Sequence, residues 1–215
     1  MIAAAGSGER LGAGGPKALV ELTGRPLLDW SLDAFRASRS IAEIVVAAPP
    51  GQEGSVAERG VRAVAGGEHR SVSVANALEL CGEEIVVIHD AARPLVTADL
   101  IDAVVEQLAS DQEAAGVIAA APVTDTIKRA TDAGEVESTL DRNGLWAIQT
   151  PQAFRTGALR EALSDLGSLA DATDDAMLVE RRGGRVVIHQ TSADNIKVTS
   201  PFDLRVAELL LRERA

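Results

Sequence analysis

A single cysteine, Cys81, leaves this 215-residue chain without an intrachain disulfide. That fits a reducing compartment and makes the cytoplasm the default location. Cys81 closes an apolar helical pattern and reads as a small core residue. The chain has no basic segment followed by an apolar one at its start, and no apolar run near the ~18 residues a membrane helix needs. Membrane association is therefore not expected. Excess positive charge is also missing: 21 Lys and Arg face 32 Asp and Glu, for a net charge of −11. General nucleic-acid binding requires a basic face, so it is excluded. Repeats and low-complexity tracts are absent. The length suits one domain over residues 1–215, with ~70% of the unfolded surface buried.

Against that acidic background, residues Met1 to Lys17 stand out: M-I-A-A-A-G-S-G-E-R-L-G-A-G-G-P-K, with five glycines, Arg10 and Lys17. Glycine lets a ligand approach the backbone without a Cβ clash. Successive backbone N–H groups form a concave anion site. Arg10 can fork onto phosphate oxygens, and Lys17 adds a point charge. An acidic protein that binds anions must concentrate its cations locally, so these two are informative. The stretch lacks the Gly-Lys-Ser/Thr end of a P-loop, because Lys17 follows Pro16 and precedes Ala18. It also lacks the third glycine of a dinucleotide fingerprint, because Gly6 and Gly8 are followed by Leu11. The reading is a loop around a nucleoside triphosphate; the alternative is a flexible surface turn with solvated charges. Only Met1 and Ile2 precede Ala3, which predicts a stunted first strand.

Further along, Pro26 suits a first helical position, and Leu27, Leu28, Trp30 and Phe35 carry a helix to about Ala37. Residues 41–48, 61–64, 84–89 and 116–121 read as strands. Three of them lack apolar–polar alternation, as in a parallel sheet buried on both faces. Helices are expected over 71–81, from Thr97 as N-cap, from about Thr156, over 174–182 and from Pro201 behind Ser200. A further strand is expected over 185–190. Strands alternating with helices predict an α/β fold: a Rossmann-like, mostly parallel sheet with helices on both faces. Residues 123–146 break the rhythm. Thr126 to Ala130 and Val136 to Leu140 read as a polar hairpin, which cannot bury itself and needs a partner such as a second subunit.

Ligands bind beyond the carboxyl ends of strands in such sheets. The glycine loop, Gly67 with Glu68 and Ser73, residues 89–94 and residues 194–199 all follow strands. Asp90 ends the central strand and suits Mg²⁺, which prefers one or two carboxylates plus phosphates. Asp194 is the natural second carboxylate; each could instead be a turn or helix cap. His89 has no spaced metal partners and reads as a packed histidine.

The motif A-A-G-S-G-x-R-L-G from Ala4, followed by Pro16 and Lys17, resembles the loop of sugar-phosphate nucleotidyltransferases. H-D-A-A-R-P from His89, D-T-I-K from Asp125, D-R-N-G-L-W from Asp141, Q-T-P-Q-x-F from Gln149 and A-D-N-I-K-V-T from Ala193 follow in order. Together they resemble the 2-C-methyl-D-erythritol 4-phosphate cytidylyltransferase family of the non-mevalonate isoprenoid route. The resemblance implies transfer of CMP from CTP to that polyol phosphate, with Mg²⁺ and release of pyrophosphate. It places Ala4, Ala5, Gly6, Gly67, Glu68, Ser73 and Ala91 around the nucleotide, Glu68 standing where the family often has Asp. It makes Arg10 and Lys17 stabilise the transition state, and puts Asp90 at the metal and nucleotide. Arg142 and Lys197 position the methylerythritol phosphate, with Arg93, Thr126, Thr150, Thr173 and Asp194 around it. It also implies a homodimer through the hairpin arm, whose Thr and Arg reach the neighbour's site. The chain ends soon after its last helix, so no fused synthase domain is expected. Two other readings compete: a ribitol-5-phosphate cytidylyltransferase, disfavoured by D-R-N-G-L-W, and a catalytically silent nucleotide-binding module, disfavoured by the presence of Arg10, Lys17, Asp90 and Lys197.

Overall fold

A computed structural model describes residues 1–8, 11–12, 14–164 and 174–214. Strand β1 is Ile2–Ala3, only two residues long, as its short lead-in predicts. A 3-10 turn, Lys17–Leu19, follows the glycine loop, then a small hairpin of β2 (Glu21–Leu22) and β3 (Arg25–Pro26). Thr23 and Gly24 turn that hairpin with positive φ. Next come α1 (Leu27–Ala37), β4 (Val45–Ala48), α2 (Glu53–Ala57), β5 (Arg62–Ala65), α3 (Arg70–Leu78) and β6 (Ile85–Asp90). Helix α4 (Ala98–Ser110) starts where Thr97 accepts the Leu100 amide at 3.3 Å. Strand β7 is Gly116–Pro122, β8 is Lys128–Ala130, β9 is Val136–Thr139 and β10 is Trp146–Arg155. The chain closes with α5 (Thr156–Leu163), α6 (Asp175–Arg181), β11 (Val186–Gln190) and α7 (Pro201–Arg214).

Seven of these strands form one sheet in the order β11-β7-β10-β6-β1-β4-β5. All neighbours are parallel except β10, which runs antiparallel to both β6 and β7. The sheet is thus mostly parallel, as expected. Strand β10 is the strand of this sheet that sequence reading leaves out. Pro151 and two glutamines interrupt its apolar pattern, and Pro is tolerated inside a sheet at irregularities. The register of β10 against β7 indeed shifts between Ile148 and Gln152. The strand expected from Ile41 is confined to Val45–Ala48.

Successive residues of the central strands enter opposite cores. Val46, Ala48 and Val87 pack with Leu28, Leu32 and Phe35 of α1 and Ile101, Val104 and Leu108 of α4. Val45, Ala47, Val86 and Ile88 pack with Val74 and Leu78 of α3, Leu159 of α5 and Val179 of α6. Burial on both faces explains their continuous apolar sequence. A third cluster, Leu11, Leu22, Leu27, Leu95, Val198 and Ala207, pins the glycine loop and α7 to the sheet end. Among the described residues, no helix is long and apolar enough to cross a membrane.

The chain passes from β1 to β4 on one side of the sheet and later returns to β6 on the other side of β1. The strand order therefore reverses at β1. A crevice at such a switch point, beyond the carboxyl ends, is where doubly wound folds bind ligands.

Candidate active site

At that switch point lies a cavity of about 440 Å³. Its lining includes Ala4, Ala5, Gly6, Ser7, Gly8 and Lys17 from the loop after β1. The loop folds back on itself, with the Lys17 amide donating to the Gly6 carbonyl at 3.1 Å. Gly8 is required there twice over. Its φ is +75°, and an added Cβ would come within 3.0 Å of the Lys17 Cβ. A side chain at position 8 would therefore displace the lysine.

The floor is the end of β6, where Asp90 and Ala91 lie beside β1. Ala3 is in register with Asp90, and the Ala91 amide donates to the Ala3 carbonyl at 3.0 Å. Lys197 reaches Asp90 from the segment after β11, its Nζ donating to Oδ2 at 2.7 Å. That segment is tied down where the Val198 amide meets the Ala92 carbonyl at 2.8 Å. Ser73, buried in α3, accepts the Gly67 amide at 3.0 Å and donates to the His69 carbonyl at 3.2 Å. It thereby holds the Gly66–Gly67 turn against the loop after β1.

Beside Asp90 stands Arg70, which sequence reading does not single out. Its Nε donates to Asp90 Oδ1 at 2.8 Å, and its Nη1 to Asp175 Oδ2 at 2.5 Å. Burial alone would raise the Asp90 carboxyl, but Arg70 and Lys197 outweigh it and hold Asp90 well below the usual carboxylate range. Burial lowers and Asp175 and Asp90 raise the Arg70 guanidinium, with a net upward shift. Burial pushes the Asp175 carboxyl up. A sequence signal for Arg70 does exist: it is the first residue of α3, where a cation opposes the helix dipole.

His89 is fully buried behind Asp90. Its Nε2 lies 3.1 Å from the Arg93 carbonyl, and its Nδ1 lies 3.0 Å from Thr150 Oγ1. A carbonyl only accepts, so Nε2 carries the proton and Nδ1 accepts from the threonine hydroxyl. Thr150 Oγ1 in turn accepts the Asp90 amide at 3.1 Å. Burial lowers the His89 pKa to about 3, so the ring is neutral at physiological pH.

Of the residues expected from sequence, Ala4, Ala5, Gly6, Lys17, Ser73, Asp90, Ala91 and Lys197 line this one cavity. Gly67 adjoins it through Ser73, while Glu68 is exposed and outside the lining. Arg10 and Thr173 lie outside the described residues. Thr150 is buried and engaged with His89 and Asp90, so its hydroxyl holds the floor. Arg93 donates to the carbonyls of Asn195 at 2.7 Å and Ile148 at 3.2 Å, which ties two segments together. Asp194 is exposed and is not part of the lining. Thr126 and Arg142 are exposed at the base of the β8–β9 hairpin, where Arg142 donates to the Thr124 carbonyl.

A divalent ion would find one carboxylate here. Asp90 is the sole acid lining the cavity among the described residues, and no group of three potential ligands occurs among them. Both oxygens of Asp90 already receive cations. This donor set fits an ion that arrives on polyphosphate oxygens and meets Asp90, rather than one caged by protein. Asp194 does not join Asp90 there.

The family model described as 2-C-methyl-D-erythritol 4-phosphate cytidylyltransferase (IspD) matches residues 1–213. The protein of that name from Rubrobacter xylanophilus is 45% identical over 226 residues, covering 100% of this chain and 94% of its own length. The crystal structure of the Thermus thermophilus protein of that name has a TM-score of 0.79 at 34% identity, covering 99% of this chain and 98% of its own. The 4-diphosphocytidyl-2C-methyl-D-erythritol synthase structure from Anaerococcus prevotii has a TM-score of 0.85 at 28% identity, covering 98% and 94%.

Proposed function

We infer the activity from one premise: the chain belongs to the 2-C-methyl-D-erythritol 4-phosphate cytidylyltransferase family. It transfers CMP from CTP to 2-C-methyl-D-erythritol 4-phosphate and releases pyrophosphate, a step of isoprenoid biosynthesis. One observation carries this reading to the residues. Among the described residues, Lys17, Arg70 and Lys197 line the cavity with a glycine loop and a single carboxylate, in a protein with net charge −11.

The chemistry follows from charge. A phosphomonoester oxygen is already a nucleophile, so the reaction needs no Ser or Cys nucleophile. That oxygen bonds to the α-phosphorus of CTP as the bond from the α-phosphorus to the bridging oxygen breaks and pyrophosphate leaves. Two polyanions must approach in line, so positioning and electrostatics supply most of the catalysis. Ala4, Ala5, Gly6, Ser73 and Ala91 shape the nucleotide's place. Lys17 and Arg10 serve the triphosphate and stabilise charge on the five-coordinate phosphorus. Lys197 meets the polyol phosphate, together with Arg142. Mg²⁺ would be held by Asp90 and the phosphates, and would withdraw charge from the phosphate oxygens. The enzyme works as a cytoplasmic homodimer, with the β8–β9 hairpin as its arm.

The test is pyrophosphate release with CTP and Mg²⁺ and each of two acceptors. Turnover with 2-C-methyl-D-erythritol 4-phosphate should far exceed that with ribitol 5-phosphate. Faster turnover of ribitol 5-phosphate would overturn the substrate assignment.

A further inference from the structure

Asp175 is fully buried in the first turn of α6, and among the described residues its Oδ1 has no hydrogen-bond partner. Its other oxygen receives Arg70 at 2.5 Å. A buried ion pair is weak evidence for stability, because apolar residues of similar volume often stabilise as well or better. Arg70 also stands at the start of α3, against the helix dipole. Two unfavourable placements in one pair point to a use beyond folding.

That use is visible on the other arm of the same guanidinium, which donates to Asp90 at 2.8 Å. We propose that Arg70 is a positioning residue for the transfer reaction, anchored by buried Asp175 so that it fixes the Asp90 carboxylate at the cavity floor. The proposal rests on the activity inferred above. A guanidinium is a rigid planar fork, so it sets the relation between two carboxylates, which a flexible ammonium cannot do. Lys197 grips the other Asp90 oxygen, but its side chain is 40% exposed against 28% for Arg70. Lys197 is thus free to turn toward a substrate phosphate, while Asp90 keeps its place through Arg70. The two cations and two carboxylates also cancel, so the floor adds no net repulsion against a triphosphate.

Arg70→Lys keeps the charge and loses the fork; Asp175→Asn keeps the shape and loses the anchor. Pyrophosphate release should be measured for both, for the double variant and for wild type, with rates normalised to folded protein. Each single variant should lose about 10²-fold in kcat, the scale of a small misplacement near the reacting atoms, with much smaller changes in KM for CTP. The double variant should be no worse than the poorer single, because both cut one connection. A wild-type kcat for Arg70→Lys, losses that vanish on normalisation, or losses that multiply in the double variant would each overturn the proposal. If Asp175→Asn does not fold, Arg70→Lys decides alone: lowered kcat at an unchanged melting temperature supports it, and wild-type kcat refutes it. The wild-type rate reads the activity and the variant ratio reads the positioning, so the two fail separately.

Discussion

Lys17 emerges from a loop that needs Gly8, and it lines the cavity. Removing it removes a preorganised donor. Lys17→Ala and Arg10→Ala should each lower kcat by about 10²–10³-fold, the scale for one such group. For Lys17→Ala stability should change little, since a partly exposed cation contributes little to folding. A raised KM at unchanged kcat would make them ground-state binders instead. His89 makes a different prediction. Its pKa is lowered from 6.5 to about 3 by burial, so the folded state resists protonation. The stability it contributes is fully present above pH ~6.5 and is lost as pH falls toward 3. Between pH 7 and pH 4.5 the wild type should therefore lose roughly 2–3 kcal/mol more than His89→Asn, read from denaturant unfolding. Equal losses would mean that His89 is not the neutral, buried ring described above. What is legible at this scale is chemistry carried by neighbours in sequence. The glycine loop with Lys17, and Asp90 at a strand end, announce themselves. Arg70 does not, because its meaning depends on Asp175, 105 residues away. Thr150 reads as a substrate contact, yet its hydroxyl is committed between Asp90 and His89.

The elements follow the same division. Strands β4, β6 and β7 are legible because burial on both faces demands continuous apolar sequence. Strand β10 is hidden because its buried residues include Gln149, Thr150 and Gln152, and the side chains of Gln149 and Thr150 are paired with other segments; Gln149 donates to the Ser192 carbonyl at 3.0 Å, for instance. The β8–β9 hairpin is legible as a hairpin without a core of its own because its strand residues are mostly polar, and all of them are exposed. Val136 on it is 62% exposed. An isolated two-stranded hairpin is at best marginally stable in water, and the homodimer proposed above would give it a partner. If the arm crosses over, Arg142 serves the neighbour's site while Lys17 serves its own. Lys17→Ala and Arg142→Ala subunits, each inactive alone, should then complement on mixing. Random exchange makes half the dimers mixed with one working site each, so activity should recover to roughly a quarter of wild type. No recovery, with mixed dimers confirmed by mass spectrometry, would rule out the shared site.

At the scale of the whole molecule, a strongly acidic chain gathers cations and backbone amides at one switch point of its sheet. That contrast concentrates a polyanionic substrate where the rest of the surface repels it. It also defines the central claim: two phosphate compounds are joined in this cavity, rather than one being hydrolysed. ³¹P NMR of the protein with CTP, Mg²⁺ and 2-C-methyl-D-erythritol 4-phosphate tests it most directly. The account predicts that the CTP and monoester signals fall together while a coupled pair from a diphosphate diester and a pyrophosphate signal rise in equal amounts. Rising orthophosphate or CMP with the monoester signal unchanged would contradict it.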